Sequence, residues 1–242
     1  MTLDLARRPT GRGGWRPGSG RRKGTTQVPH ATREDFAARY PQHVTLRLVD
    51  GVPSLREYDR LQIIWDAIRR AQSATFRIVE FNVEPNHLHL VSEAAGKAAL
   101  ATGMQGFKAR MAKRLNRHLG RSGALFEERY HARVLRTPRE VKHAIRYVLC
   151  NWRHHVSERE VLPADWIDPY SSAFWFDGWR RELVLDEPWK RDLAAMSPPT
   201  VKPTVWLLSI GWRMHGLLEF DEVPGPKKQT KRARTRRNGK AH

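Results

Sequence analysis

The chain has 242 residues, enough for one large domain or for a compact domain with extensions. Its 44 Lys and Arg residues against 25 Asp and Glu leave a formal charge of +19, which points to a polyanionic partner, nucleic acid rather than a membrane surface. The single cysteine, Cys150, excludes an internal disulfide, and no run of about 18 apolar residues supplies a membrane span. The basic N-terminus has no apolar stretch after it, so the chain reads as cytoplasmic, or nucleoid-associated in a bacterium.

Residues 1–37 are rich in Gly, Arg and Pro and bury too little to fold alone. They read as a disordered basic arm, with Arg12, Arg16, Arg21, Arg22 and Lys23 available to phosphates and Trp15 to a base. His43 to Leu48 alternates as a strand. Ser54-Leu55-Arg56-Glu57 has the form of a capping box, opening a helix on which Leu61, Ile64, Trp65 and Ile68 recur at helical spacing. Thr75 to Val83 and His87 to Val91 form two strands around the turn Glu84-Pro85-Asn86. Lys97 to about Leu119 is a second helix, and Arg129 to Arg136 a fourth strand. Thr137, Pro138 and Glu140 then start a third helix.

The order β-α-β-β-α-β-α predicts an α+β fold, a ferredoxin-like split βαβ antiparallel sheet with helices on one face. Four segments follow: the arm 1–37, a nuclease-like domain 38–173, a Trp-rich extension 174–223 packed on it, and a disordered basic tail 224–242. The extension carries Trp175, Trp179, Trp189, Trp206 and Trp212, and no acidic residue interrupts Lys227 to Lys240.

On an extended strand His87 and His89 share one face about 7 Å apart, a spacing at which two imidazoles can converge on one divalent ion. On the third helix Val141, Ala144, Ile145, Val148 and Trp152 cluster as the core face. Tyr147 projects roughly 130° from its centre, with Asn151 one turn further on. Tyr147 is thus the candidate nucleophile and Asn151 the candidate third metal ligand, with Glu84 competing for that place. Tyr130, in a strand, and Tyr170, in a loop, are poorer nucleophiles. From Ala94 to Phe126 there is no acid, while Lys108, Arg110, Lys113, Arg114, Arg117 and Arg121 are all present. That run reads as a phosphate-tracking surface.

Several blocks, in one order, resemble the REP-associated tyrosine transposases, the single-tyrosine, IS200-like branch of the HUH nucleases. They are Pro41–Arg47, Asn86-His87-Leu88-His89-Leu90, Gly123–Tyr130, Ile145–Asn151 and Tyr170-Ser171-Ser172-Ala173. The chain departs from the family at Glu84, usually Met; at Phe126-Glu127, usually Trp-Gln; and at Trp152, usually Pro, which lets the helix run on. The resemblance implies a metal-dependent single-strand DNA endonuclease and strand transferase acting on hairpin or repeat DNA. In it Tyr147 forms a 5′-phosphotyrosine link, and His87, His89 and Asn151 hold Mg²⁺ or Mn²⁺. It implies single-stranded or hairpin DNA as partner, no membrane, and a monomer or homodimer. The runner-up is a basic DNA- or RNA-binding protein that keeps the fold and does not cut.

Overall fold

Period-two alternation produces four strands: β1 (Gln42–Arg47), β2 (Phe76–Val83), β3 (His87–Ala94) and β4 (His131–Val134). Three longer helices, α1 (Tyr58–Arg69), α2 (Lys97–His118) and α3 (Pro138–Val156), fall between and after them in the expected order. The computed structural model describes residues 34–127, 129–156 and 162–222. The expected arm residues Arg12, Arg16, Arg21, Arg22 and Lys23 and the basic tail lie outside the described residues.

All strand pairs are antiparallel, in the order β2-β3-β1-β4, which is the split βαβ layout. Alternation decides what each face carries. Val44, Leu46, Leu88 and Leu90 enter one core with Leu61, Ile64, Trp65 and Ile68 of α1 and Leu100, Met104, Phe107 and Met111 of α2. Burying each such side chain contributes roughly 1.5–3 kcal/mol. Gly103 of α2 is small because Phe76 fills the space: a Cβ there would lie 2.2 Å from its ring. Residues one step out of phase, His43, Thr45, His87 and His89, face the other way, and α3 lies across that second face. There Val141, Ile145, Val148 and Leu149 share a second core with Val79 and Val91. The α+β, split βαβ fold class is therefore as read, but the expected placement of the helices on one face is corrected: α1 and α2 cover one face of the sheet and α3 the other.

A bulge between Ile78 and Glu80 resets the phase of β2, so that Ile78 and Phe81, three apart, both serve the first core. The outer edge of β2 is covered by the loop at 170–172: Val83 N donates to Tyr170 O, and Phe81 N to Ser172 Oγ. Downstream come a 3₁₀ turn (Ser172–Trp175), α4 (Pro188–Ala195), α5 (Trp206–Ser209) and a second 3₁₀ turn (Gly211–His215). Phe176, Leu208, Trp212, Leu218 and Phe220 pack with α3 in the second core. Buried Glu93 of β3 ties this segment down by accepting from Thr204 N, Thr204 Oγ1 and Val205 N, all within 2.8 Å.

Three local expectations are corrected. The first helix starts at Tyr58 with Glu57 as an uncapped N-cap, not at a Ser54 box. Leu55 is fully buried and its N–H donates to Pro85 O, while Arg56 turns inward, so the chain at 54–57 serves the core before it coils. The fourth strand is four residues long rather than spanning Arg129 to Arg136, because β4 pairs only with Gln42–Thr45. Trp152 leaves the core arc and is half-buried under the Arg56 guanidinium, 3.7 Å from its ring centre. As its replacement of Pro allowed, α3 runs on to Val156. No helix among the described residues is long and apolar enough to cross a membrane.

Candidate active site

The start of α3 is set by a reciprocal cap. Thr137 Oγ1 accepts from Glu140 N (3.2 Å), and Glu140 Oε2 accepts from Thr137 N (3.1 Å) and Arg136 N (2.8 Å). These bonds hold the Glu140 carboxyl below its ordinary value, the Arg136 amide contributing most. The cap fixes the rotation of the helix, and with it the place of Tyr147.

Tyr147 is 37 % exposed, as its position off the apolar arc requires, and its ring stands over the histidines of the sheet. The ring centres are 4.9 Å apart for Tyr147 and His89 and 5.5 Å for Tyr147 and His43, both edge-on. His87 and His89 meet at Nε2 to Nε2, 3.0 Å apart. Asn86 Oδ1 lies 2.8 Å from His87 Nδ1; a carboxamide oxygen only accepts, so that nitrogen carries the proton. His89 Nδ1 faces Thr45 Oγ1 at 3.2 Å and His43 Nε2 at 3.3 Å, either of which can accept its proton. With both protons on Nδ1, the two imidazole lone pairs face each other across 3.0 Å, and a cation between them relieves their repulsion. Two cis ligands of an octahedral ion, each about 2.1 Å from it, stand about 3.0 Å apart, so the pair fits a divalent ion.

The electrostatics agree. Burial first, then His43, His87 and His155, lowers His89 to about 3. Burial, then Arg47 and His155, lowers His87 to about 4, and burial with His131 and Arg133 does the same to His43. All three rings are neutral at pH 7, the form that ligates metal. Asn151 is buried, and its Nδ2 donates to Glu84 Oε1 at 2.7 Å. Burial raises the Glu84 carboxyl to about 7 against that hydrogen bond. Glu84 thereby fixes the amide of Asn151 and leaves Oδ1 as the end able to ligate. Among the described residues no three His, Cys, Asp or Glu side chains converge as a metal-holding group. A third ligand among the described residues would therefore be an amide or a side chain that moves. Burial, followed by Glu84, raises the Tyr147 phenol above its ordinary value, so it is protonated when the site is empty of cations.

The other expected residues are not gathered here. Tyr130 is buried in the core under α1 and α2, and Tyr170 packs on Arg56, so neither faces the histidines. Arg110, Lys113, Arg114 and Arg117 line one groove on α2, together with Asp66 of α1 and Arg70 just past its end, on the side of the sheet away from Tyr147. Arg114 and Arg70 both pair with Asp66 there. Arg121 is spent on Asn116 Oδ1 and Ala124 O, and Lys108 lies over the Phe126 ring. Sequence reasoning missed Asn86, Thr45 and His43, the groups that orient the two histidines. The alternation of His43 and Thr45 on β1, two places apart like His87 and His89, was the available signal.

Residues 57–150 match the family described as transposase IS200-like. No curated protein matches the chain. Among solved structures, one described as a REP-associated tyrosine transposase bound to a REP hairpin matches with 18% identity over 72% of this chain and 90% of that chain, at a TM-score of 0.46. The family match begins at the N-cap of α1, takes in His87, His89 and Tyr147, and stops one residue before Asn151. Over residues 57–150 the chain is thus similar to the IS200-like transposases, the family its motifs resemble.

Proposed function

We propose that the protein is a metal-dependent single-strand DNA endonuclease and strand transferase of the tyrosine transposase type. The observation that carries this reading is the Tyr147 ring set 4.9 Å from His89, over two neutral imidazoles whose Nε2 atoms are 3.0 Å apart. Hairpin DNA is the proposed partner, by analogy with the solved transposase bound to a REP hairpin.

His87, His89 and the Oδ1 of Asn151 would hold the ion, and Asn86, Thr45 and Glu84 would orient them. A bound Mg²⁺ or Mn²⁺ would draw charge from a non-bridging oxygen of the scissile phosphate and offset the charge that builds in the transition state. Tyr147 Oη loses its proton and attacks phosphorus, the bond to the 3′ oxygen breaks, and that oxygen leaves as a hydroxyl. The product is a phosphotyrosine on the 5′ side of the break. Its bond energy is kept, so a second 3′-hydroxyl can reverse the step and join strands without a nucleotide cofactor. Because Tyr147 is pinned against a sheet face, the phosphate must come to it on a strand free of its complement. Purified protein with Mg²⁺ or Mn²⁺ should therefore nick a single-stranded hairpin oligonucleotide and leave duplex intact. Equal cleavage of duplex, or cleavage that survives EDTA, would sink the mechanism.

A further inference from the structure

Beside Tyr147 runs an open groove of about 460 Å³ between β4 and the first half of α3, lined by His43, Arg133, Leu135, Glu140, His143, Arg146 and Tyr147 itself. Two of its guanidiniums keep donors to spare. Arg133 is exposed on an edge strand and uses one nitrogen on Glu140 Oε1 (2.8 Å). Arg146 reaches Glu222 only at 3.5 Å. The single acid in the lining, Glu140, divides its carboxylate between one nitrogen of Arg133 and the cap of α3. Along α3, Arg139, Lys142, His143 and Arg146 recur at three- and four-residue spacing and form a basic ridge that ends at Tyr147. Burial, then Arg146, Arg139, Lys142 and His215, lowers the His143 imidazole, which registers the positive potential along this ridge.

We propose that this groove seats the sugar–phosphate backbone of the single strand next to the scissile phosphate, with Arg133, His143 and Arg146 as its phosphate contacts. The inference rests on Tyr147 as the nucleophile. A phosphate bound to Tyr147 has its neighbour about 6–7 Å along the strand, within reach of an adjoining groove and not of a surface across the sheet. The basic residues of α2 stand on that opposite side, separated by the thickness of the sheet and its first core, and so cannot hold the nucleotide beside the break. Backbone contacts of this kind fix register and carry no base preference.

The assay is binding of a fluorescein-labelled oligothymidylate of ten nucleotides to the full chain carrying Tyr147→Phe, in EDTA, read by anisotropy across a salt series. Arg133→Gln with Arg146→Gln should lower the log–log salt slope by about 1.4, at about 0.7 per lost single-strand phosphate contact. The charge-matched pair Arg110→Gln with Arg117→Gln should change it far less. Arg133→Gln alone, on an exposed edge strand that tolerates it, should lower the slope by about 0.7, and Arg146→Lys should retain it. An oligomer carrying 4-thiothymidine should crosslink to β4 and α3. Equal slope changes from the two pairs, or crosslinks confined to α2, would overturn the assignment. Because binding is read without metal, slopes that behave as expected in a protein that never cuts would refute the nuclease reading and leave the groove standing.

Discussion

Arg56 and Asp168 offer the sharpest stability test of how the site is held. Their guanidinium and carboxylate meet at 2.7 and 3.0 Å, with side chains 10% and 0% exposed. The guanidinium also donates to Val83 O and lies between the rings of Trp152 and Tyr170. It thus joins the loop at 168–173 to α3 one residue past Asn151. Arg56→Met keeps much of the side-chain volume and strands a fully buried carboxylate, a change that costs about 3–5 kcal/mol. Asn82 Nδ2 and Tyr170 N still donate to Asp168, at 3.0 Å each, which places the loss near the lower end, about 3 kcal/mol. At about 2–4 °C per kcal/mol for a chain of this size, Tm should fall by about 6–12 °C in a thermal scan. Adding Asp168→Leu should recover at least half of the loss, because no unpaired charge remains. A loss below about 1 kcal/mol for Arg56→Met, or a double variant worse than the single one, would refute the reasoning.

Two further outcomes follow from the buried titratable groups. Burial, opposed by the Ser172 hydroxyl, raises Glu80 from 4.5 to about 8. The folded state thus holds a proton that the unfolded chain gives up, so this group's contribution is complete below about 4.5 and is lost as pH rises to about 8. Glu80→Gln cannot ionise, and in chemical denaturation its stability relative to the parent should climb from pH 5 to pH 8; a constant difference would refute this. His87 and His89, lowered to about 4 and 3, stay neutral through the weakly acid range, so Mn²⁺ affinity measured by electron paramagnetic resonance should be nearly flat from pH 8 to 5.5. A tenfold loss per unit below about 7 would instead identify Glu84, whose carboxyl is raised to about 7, as the ligand in place of Asn151.

Much of this geometry was legible from local pattern. Strand alternation separated His87 and His89 from Leu88 and Leu90, and the Thr137–Glu140 cap fixed a helix on which 100° per residue turned Tyr147 away from Val141, Ile145 and Val148. What was not legible depended on partners far along the chain. The 54–57 segment has the letters of a capping box, yet Pro85 O captures the Leu55 amide and Asp168 captures Arg56, and those two long-range bonds outweigh a local one. Trp152 satisfies the helical period of the core and leaves it for the same guanidinium. The acid-free run of α2 showed charge but not direction. Its apolar stripe Leu100, Met104, Phe107 and Met111 turns the basic face away from the side that carries Tyr147, and only the pairing of the whole sheet reveals which side that is.

The central claim is that Tyr147 is the nucleophile, and a covalent protein–DNA adduct reads it directly. A labelled hairpin oligonucleotide incubated with Mn²⁺ and resolved under denaturing conditions should give an adduct band with the parent chain, and equally with Tyr130→Phe and Tyr170→Phe. Tyr147→Phe removes one oxygen from a half-exposed ring, so folding and hairpin binding should persist while the adduct and the nick both vanish. An adduct that forms with Tyr147→Phe and is lost with Tyr130→Phe or Tyr170→Phe would contradict the account.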